Sequence, residues 1–142
     1  MSVPLYRVRT DGASRGNPGP SAIGVSVEDE TGAEVATASE TIGRTTNNVA
    51  EYRALLRSLD LLEDLGALRA EFLLDSELIV RQLTGVYRVK DSKMRALSME
   101  VMKRIRRLQE VSFKHVPRKE NKRADALANE ALDRAARRAD RG

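Results

Sequence analysis

Cysteine is absent from the 142 residues, which excludes a disulfide scaffold, a thiolate zinc site and a cysteine nucleophile. Histidine occurs once, so a histidine-rich metal site is excluded and His115 is the only imidazole on offer. Long apolar runs are missing too. No stretch approaches the ~20 residues of a membrane span, and the N-terminus carries no signal-peptide core. A cytoplasmic protein with no membrane partner is the resulting expectation.

What is present suits one globular domain with one core: 41% of residues are hydrophobic and 32% are charged. The net charge of +4 conceals a split. Residues 1–83 hold 8 Lys and Arg against 13 acids, whereas residues 84–142 hold 17 against 8. A basic half invites a polyanion, nucleic acid first, although solvated helix faces would give the same count.

Residues 5–11 alternate, with Tyr6, Val8 and Thr10 on one side and Arg7, Arg9 and Asp11 on the other, which predicts a strand. A run of turn residues, 12–20, ends it. Ile23, Val25 and Val27 repeat at period two, Thr31-Gly32 makes a turn, and residues 35–42 return, giving a three-strand antiparallel meander. The pattern then becomes helical. Asn47 or Asn48 caps a helix running to about Leu65, with Gly66 past its end. Residues 69–75 form a strand, and Ser76 caps a short helix. Residues 85–91 are a link, 92–110 an amphipathic helix, and 111–116 the last strand. Asn121 caps a final helix carrying Ala124, Leu127, Ala128, Ala131 and Leu132 on one side. The order β-β-β-α-β-α-α-β-α implies an α/β fold: a mixed sheet with helices on its faces. Residues 1–134 make one domain, and 135–142 are a frayed helix end or the start of a linker.

Four acids sit where a folded core has no obvious need of them. Asp11 interrupts a strand, although aspartate is disfavoured there. Asp75 closes the apolar run Phe72-Leu73-Leu74, where an N-cap is its structural alternative. Glu51 and Asp125 are each expected in the first turn of a helix beside buried positions, where each could simply complement the helix dipole. An acid inside a strand plus one at a strand end suggests hard-cation coordination by Mg²⁺ or Mn²⁺. The Gly-rich turn fits neither GxGxxG nor the Walker pattern, because a strand follows and no Lys-Ser/Thr does. It can instead bring backbone amides and small polar groups close to a sugar-phosphate backbone.

These residues resemble the ribonuclease H type 1 family. The matching stretches are Thr10-Asp11-Gly12-Ala13-Ser14-Arg15-Gly16-Asn17-Pro18-Gly19-Pro20, Thr45-Thr46-Asn47-Asn48-Val49-Ala50-Glu51-Tyr52, Asp75-Ser76-Glu77-Leu78, and His115-Val116-Pro117-Arg118 with Asn121, Ala124-Asp125 and Leu127-Ala128. They occur in family order across residues 5–134. The resemblance implies a ribonuclease H-like fold, with a five-stranded mixed sheet (three antiparallel strands, then two helix-linked ones) and helices on both faces. It makes Asp11, Glu51, Asp75 and Asp125 the metal-binding and catalytic carboxylates. It implies endonucleolytic hydrolysis of the RNA strand of RNA–DNA hybrids, leaving 5′-phosphate and 3′-hydroxyl ends. Two Mg²⁺ ions, with Mn²⁺ as a substitute, are expected about 3.5–4 Å apart, one generating the attacking hydroxide and the other stabilising the leaving 3′-oxygen. Asp11 is expected to bridge them.

The resemblance also implies substrate contacts. Ser14, Arg15, Gly16 and Asn17 match the turn that meets the hybrid's minor groove, where 2′-hydroxyls distinguish RNA. Thr46, Asn47 and Asn48 match positions holding a DNA-strand phosphate and the groove edge, and Glu77 lies near the RNA strand. The chain departs from the family in three ways. Residues 85–92 are short and lack the tryptophan-containing basic protrusion of some bacterial members, so other cations must bind the hybrid: Lys90, Lys93, Arg95, the Lys103, Arg104, Arg106 and Arg107 face, or residues 118–123. The loop before the last helix is also short. His115 is therefore read as a strand residue with a structural role, and Arg118 as the group that assists product release or transition-state charge. Finally, the pattern is closer to short archaeal and actinobacterial-like members, some of which cleave double-stranded RNA or RNA–DNA junctions or are fused to a second domain. A monomer is expected, and a longer parent chain is compatible. Two other readings remain at this point: a hybrid-binding module without chemistry, and another nuclease on the same fold.

Overall fold

Small and β-branched residues at period two carry the chain through three long strands, β1 (Leu5–Ser14), β2 (Gly19–Glu28) and β3 (Glu34–Thr45), in the computed structural model, which describes residues 3–141. The helix α1 (Asn47–Asp64), β4 (Arg69–Leu74), α2 (Glu77–Leu83), α3 (Ser92–Ile105), β5 (Glu110–His115) and α4 (Lys122–Arg141) follow, with one 3-10 turn at Arg118–Glu120. The five strands lie in the order β3-β2-β1-β4-β5. β1 runs antiparallel to β2 and parallel to β4, so the longest-range pairing places β1 at the centre. The expected mixed sheet is therefore the observed one.

Each face of the sheet has its own cover. Val8, Ile23, Val25 and Val27 pack with Tyr52, Leu55, Leu59 and Leu62 of α1 and Met94 and Val101 of α3. Burial of each such large side chain stabilises by about 1.5–3 kcal/mol. Phe72 and Phe113 stack at 5.1 Å and join β4 to β5 within this layer. On the opposite face Ala13 and Ala22 meet Ala131 and Leu132 of α4.

Several boundaries differ from the sequence expectation, each for a local reason. β1 extends to Ser14, because Gly12 and Ala13 continue the ladder opposite Ile23 and Ala22. Thr46, rather than Asn47 or Asn48, caps α1: its Oγ1 accepts from the Val49 N–H at 3.3 Å. Ile105, rather than residue 110, ends α3, since the chain must turn onto the β4 edge, where the Gln109 N–H donates to the Leu68 carbonyl at 2.7 Å. Asn121 does not cap α4 with its side chain. It is fully buried and its Nδ2 donates to the Thr10 carbonyl at 2.9 Å, tying the α4 start to β1. α4 runs unbroken through residue 134 to Arg141, so residues 135–141 are helical.

Candidate active site

Parallel pairing brings two of the four acids level. The β1–β4 register aligns Val8 with Phe72 and Arg9 with Leu73, and the same offset carried onward sets Asp11 beside Asp75. Adjacent strands are only about 4.8 Å apart, so the two carboxylates must meet. Asp11 lies in the C-terminal half of β1 and Asp75 directly follows β4, beside the change from antiparallel to parallel pairing, where open mixed sheets form crevices.

The two helical acids reach this point because glycines let their helices come close. A Cβ on Gly12 would overlap the backbone of Ala50 and Glu51, so α1 can rest directly on β1 only while residue 12 has no side chain. On the other face, a Cβ on Gly24 would overlap the Ala124 carbonyl and lie 2.6 Å from the Ala128 nitrogen, so α4 seats on β2 the same way. Glu51 stands beyond the first turn of α1, which contains no acid, so dipole complementation does not explain it. Asp125 is in the first turn of α4.

Ligand oxygens of Asp11, Glu51 and Asp75 all lie within 4.8 Å of one another. Asp11 is 6% exposed and Glu51 7%, in a cavity of about 530 Å³ whose wall also includes Asp75, Asp125, Arg118 and Asn129. Burial, then the negative charge of Asp75 and Asp125, pushes the Asp11 carboxyl up to about 8. Burial, then Asp11 and Asp75, raises Glu51 well above the usual range. Burial raises Asp75 as well, opposed by the Arg118 guanidinium. Like-charged carboxyls held together out of water cannot all ionise without a counter-ion. The donor set fits one. The Gly12 N–H donates to Glu51 Oε1 at 3.3 Å, while Glu51 Oε2 is buried with no hydrogen-bond partner among the described residues. An all-oxygen carboxylate site of this kind suits Mg²⁺ or Mn²⁺.

The substrate-facing candidates divide. Ser14, Arg15, Asn47 and Asn48 line the carboxylate cavity. Arg15 Nη2 pairs with Asp133 of α4 at 2.6 Å. Gly16 (φ 104°) and Asn17 form the exposed tip of the β1–β2 turn, and Asn17 Oδ1 accepts from the Asn47 N–H at 3.1 Å. Thr46 is occupied by capping. Glu77 lies outside the cavity wall and is paired with Arg81 at 2.7 Å. Arg118 Nη2 lies 3.5 Å from Asp125 Oδ1, and its side chain is 79% exposed. His115 ends β5 opposite Leu74 and does not line the cavity.

The expected basic face on α3 is partly consumed by the fold. Arg104 pairs with Asp60 at 2.7 Å and Glu63 at 3.3 Å on the C-terminal half of α1, and Arg107 pairs with Glu63. Arg123 is tied to Glu34 at 2.9 Å. Cations without an acid partner among the described residues gather elsewhere. Arg44, Arg53 and Lys93 line a groove of about 300 Å³ between the β3 end, α1 and α3, next to Thr45. Sequence reading passed over Arg44 and Arg53, which are distant in sequence from Lys93. It also passed over Asn129, whose only signal was its position one turn after Asp125.

The family description "Reverse transcriptase-like" matches residues 9–131. Ribonuclease HI of Halobacterium salinarum is 46% identical over 125 residues, covering 88% of this chain and 63% of that protein. The crystal structure of that archaeon's RNase H1 superposes with a TM-score of 0.89 at 44% identity, covering 91% of this chain and 98% of that one. The LC11-RNase H1 structure in complex with RNA/DNA hybrid gives a TM-score of 0.88 at 44% identity, covering 92% and 99%. The bifunctional protein Rv2228c of Mycobacterium tuberculosis is 41% identical over 133 residues. The chain spans 63% and 36% of the lengths of the Halobacterium and Mycobacterium curated relatives.

Proposed function

The chain belongs to the ribonuclease H type 1 family, and on that premise we propose that it hydrolyses the RNA strand of RNA–DNA hybrids at the Asp11–Glu51–Asp75–Asp125 cluster. The observation that carries this reading is the convergence of three buried or half-buried carboxylates within 4.8 Å, with one buried carboxylate oxygen left without a partner. A pure binding module would gain nothing from such charge beside phosphates.

All four acids would hold two divalent cations, Mg²⁺ with Mn²⁺ as an alternative. When bound, those cations supply charge neutralisation and Lewis acidity at the scissile phosphate and lower the pKa of water. The protein supplies position. Asp11 lies against the other three acids and would be the central carboxylate of the ligand set. The Gly12 N–H fixes Glu51 Oε1, leaving Oε2 for a ligand bond. Attack of water oxygen on phosphorus breaks the P–O3′ bond, leaving a 5′-phosphate and a 3′-hydroxyl. Arg118, exposed at the cavity edge, assists transition-state charge or product release.

Ser14, Arg15, Gly16 and Asn17 meet the minor groove, where a 2′-hydroxyl marks the strand to be cut. Thr46, Asn47 and Asn48 hold the uncut strand, with the Arg44–Arg53–Lys93 groove continuing its path. Glu77 approaches the RNA strand only if its pairing with Arg81 opens. The enzyme acts as a cytoplasmic monomer whose catalytic domain spans residues 1–134, with the continuation of α4 to Arg141 as its C-terminal extension. A second domain in a longer parent chain fits the bifunctional Mycobacterium relative.

One cleavage panel tests the reading: RNA–DNA hybrid, double-stranded RNA, and DNA with a single ribonucleotide, each with Mg²⁺ and Mn²⁺. Hybrid should be cut, and Asp75→Asn should fold normally by circular dichroism while cleavage falls to background. Near wild-type cleavage by Asp75→Asn would remove the four-carboxylate assignment.

A further inference from the structure

Asp125 touches Asp11 but lies outside the tightest group of acids. Asp11, Glu51 and Asp75 offer oxygens within 4.8 Å of one another, and Asp125 is outside that group. Its Oδ1 receives two donors. One is Arg118 Nη2 at 3.5 Å, from a side chain 79% exposed and therefore screened and mobile. The other is Asn129 Nδ2 at 3.3 Å, and the same nitrogen also reaches the Asp125 backbone carbonyl at 3.0 Å. Asn129 is half-buried, lies one turn further along α4, and lines the carboxylate cavity.

We propose that Asn129 is a positioning residue for the cation ligand Asp125, setting how readily the second divalent ion is held. This rests on the four-carboxylate reading above. The chemistry of the contact is specific. An amide donates a hydrogen bond to Oδ1 without adding a charge to a cavity already crowded with acids, so it orients the carboxylate and leaves Oδ2 free for a ligand bond. Gripping both the side chain and the carbonyl of residue 125, one NH₂ group restricts the rotation of Asp125. Without it, a half-buried carboxylate left with an exposed guanidinium and a like-charged neighbour, Asp11, must be ordered by the incoming ion. Groups that orient a metal ligand by hydrogen bonding typically change metal affinity by about 10–100-fold when removed.

The test compares wild type, Asn129→Ala, Asn129→Gln and Asp125→Asn. Mn²⁺ is titrated calorimetrically into each protein saturated with a hybrid made uncleavable by 2′-O-methylation of its RNA strand. Mg²⁺ dependence of cleavage and thermal stability are recorded in parallel. Asn129→Ala should weaken the second Mn²⁺ about tenfold and leave the first unchanged. It should raise the Mg²⁺ needed for half-maximal cleavage by a similar factor, with kcat at saturating metal within about twofold. Asn129→Gln, whose amide can reach a carboxylate one turn back, should restore most of the affinity. A merely structural role would lower thermal stability without separating the two binding steps. Wild-type Mn²⁺ binding by Asn129→Ala, with Asp125→Asn impaired, overturns the proposal. Wild-type binding by Asp125→Asn overturns the underlying assignment instead.

Discussion

Gly24 is the cross-strand partner of Asp11, and its missing side chain is what lets Asp125 approach that aspartate. The two residues oppose each other in the β1–β2 ladder and face α4, whose Ala124 carbonyl and Ala128 nitrogen occupy the space a Cβ at residue 24 would need. Gly24→Ala should push α4 outward and carry Asp125 with it. The overlap is with backbone, which cannot rotate away, so a stability loss of about 1–3 kcal/mol is expected. Cleavage should fall at least tenfold at a temperature where the variant is still folded. Unchanged Mg²⁺ dependence together with normal cleavage would show that α4 has slack.

The raised carboxylates link stability to pH. Asp11 titrates near 8 when folded, against an ordinary value near 3.8. Because its folded value is above its unfolded one, the stabilisation is full below about pH 4 and is lost as pH rises toward 8. Metal-free protein should therefore melt at progressively lower temperature between pH 5 and about pH 8, apart from the general acid limb. Asp11→Asn removes the burdened charge. It should raise the melting temperature of metal-free protein at pH 8 by roughly 3–8 °C and flatten this limb, and saturating Mg²⁺ should flatten it in the wild type. A wild-type melting temperature that climbs across that window in EDTA would contradict the clustering.

Salt dependence locates the strand path. Replacing Arg53 and Lys93 by alanine should weaken hybrid binding and reduce the slope of log affinity against log salt by about 2, one unit per lost phosphate contact. Replacing Lys103 and Arg106 should leave the slope nearly unchanged, because they lie on the α3 outer face beside Met99 and Met102, away from the carboxylates. Replacing Arg104 should act on stability, since its guanidinium bridges α3 to Asp60, Glu63 and the Leu56 carbonyl of α1. A steeper slope change from Lys103 and Arg106 than from Arg53 and Lys93 would reverse this assignment.

Much was legible in the chain itself. Period-two alternation around Val8, Val25 and Val27 and the helical stripe Tyr52, Leu55, Leu59, Leu62 gave the order of elements, because a buried face imposes its repeat on neighbouring residues. Asp11 was conspicuous because strand interiors disfavour aspartate. Local competitions decided the remaining details. Thr46 and Asn47 are both good caps, and only the entry angle of the chain chose the threonine. Asn121 looked like a cap and is a buried strut to Thr10, because its partner lies 111 residues away.

Hydrophobic periodicity by itself determined the α/β class, the placing of acids in the expected elements singled out four of them, and composition marked the basic second half. Tertiary structure alone decided what those residues do to one another. Parallel pairing sets Asp11 beside Asp75, and two missing Cβ atoms admit α1 and α4. Burial makes the acids a charge problem that a cation would solve. The basic half was likewise divided by packing, with Arg104 and Arg107 drawn to α1 acids while Lys93 joined Arg44 and Arg53. The reason is common to all of these. Local sequence governs which backbone conformation is cheapest, whereas electrostatic energy depends on distance and burial, which exist only once remote segments have packed.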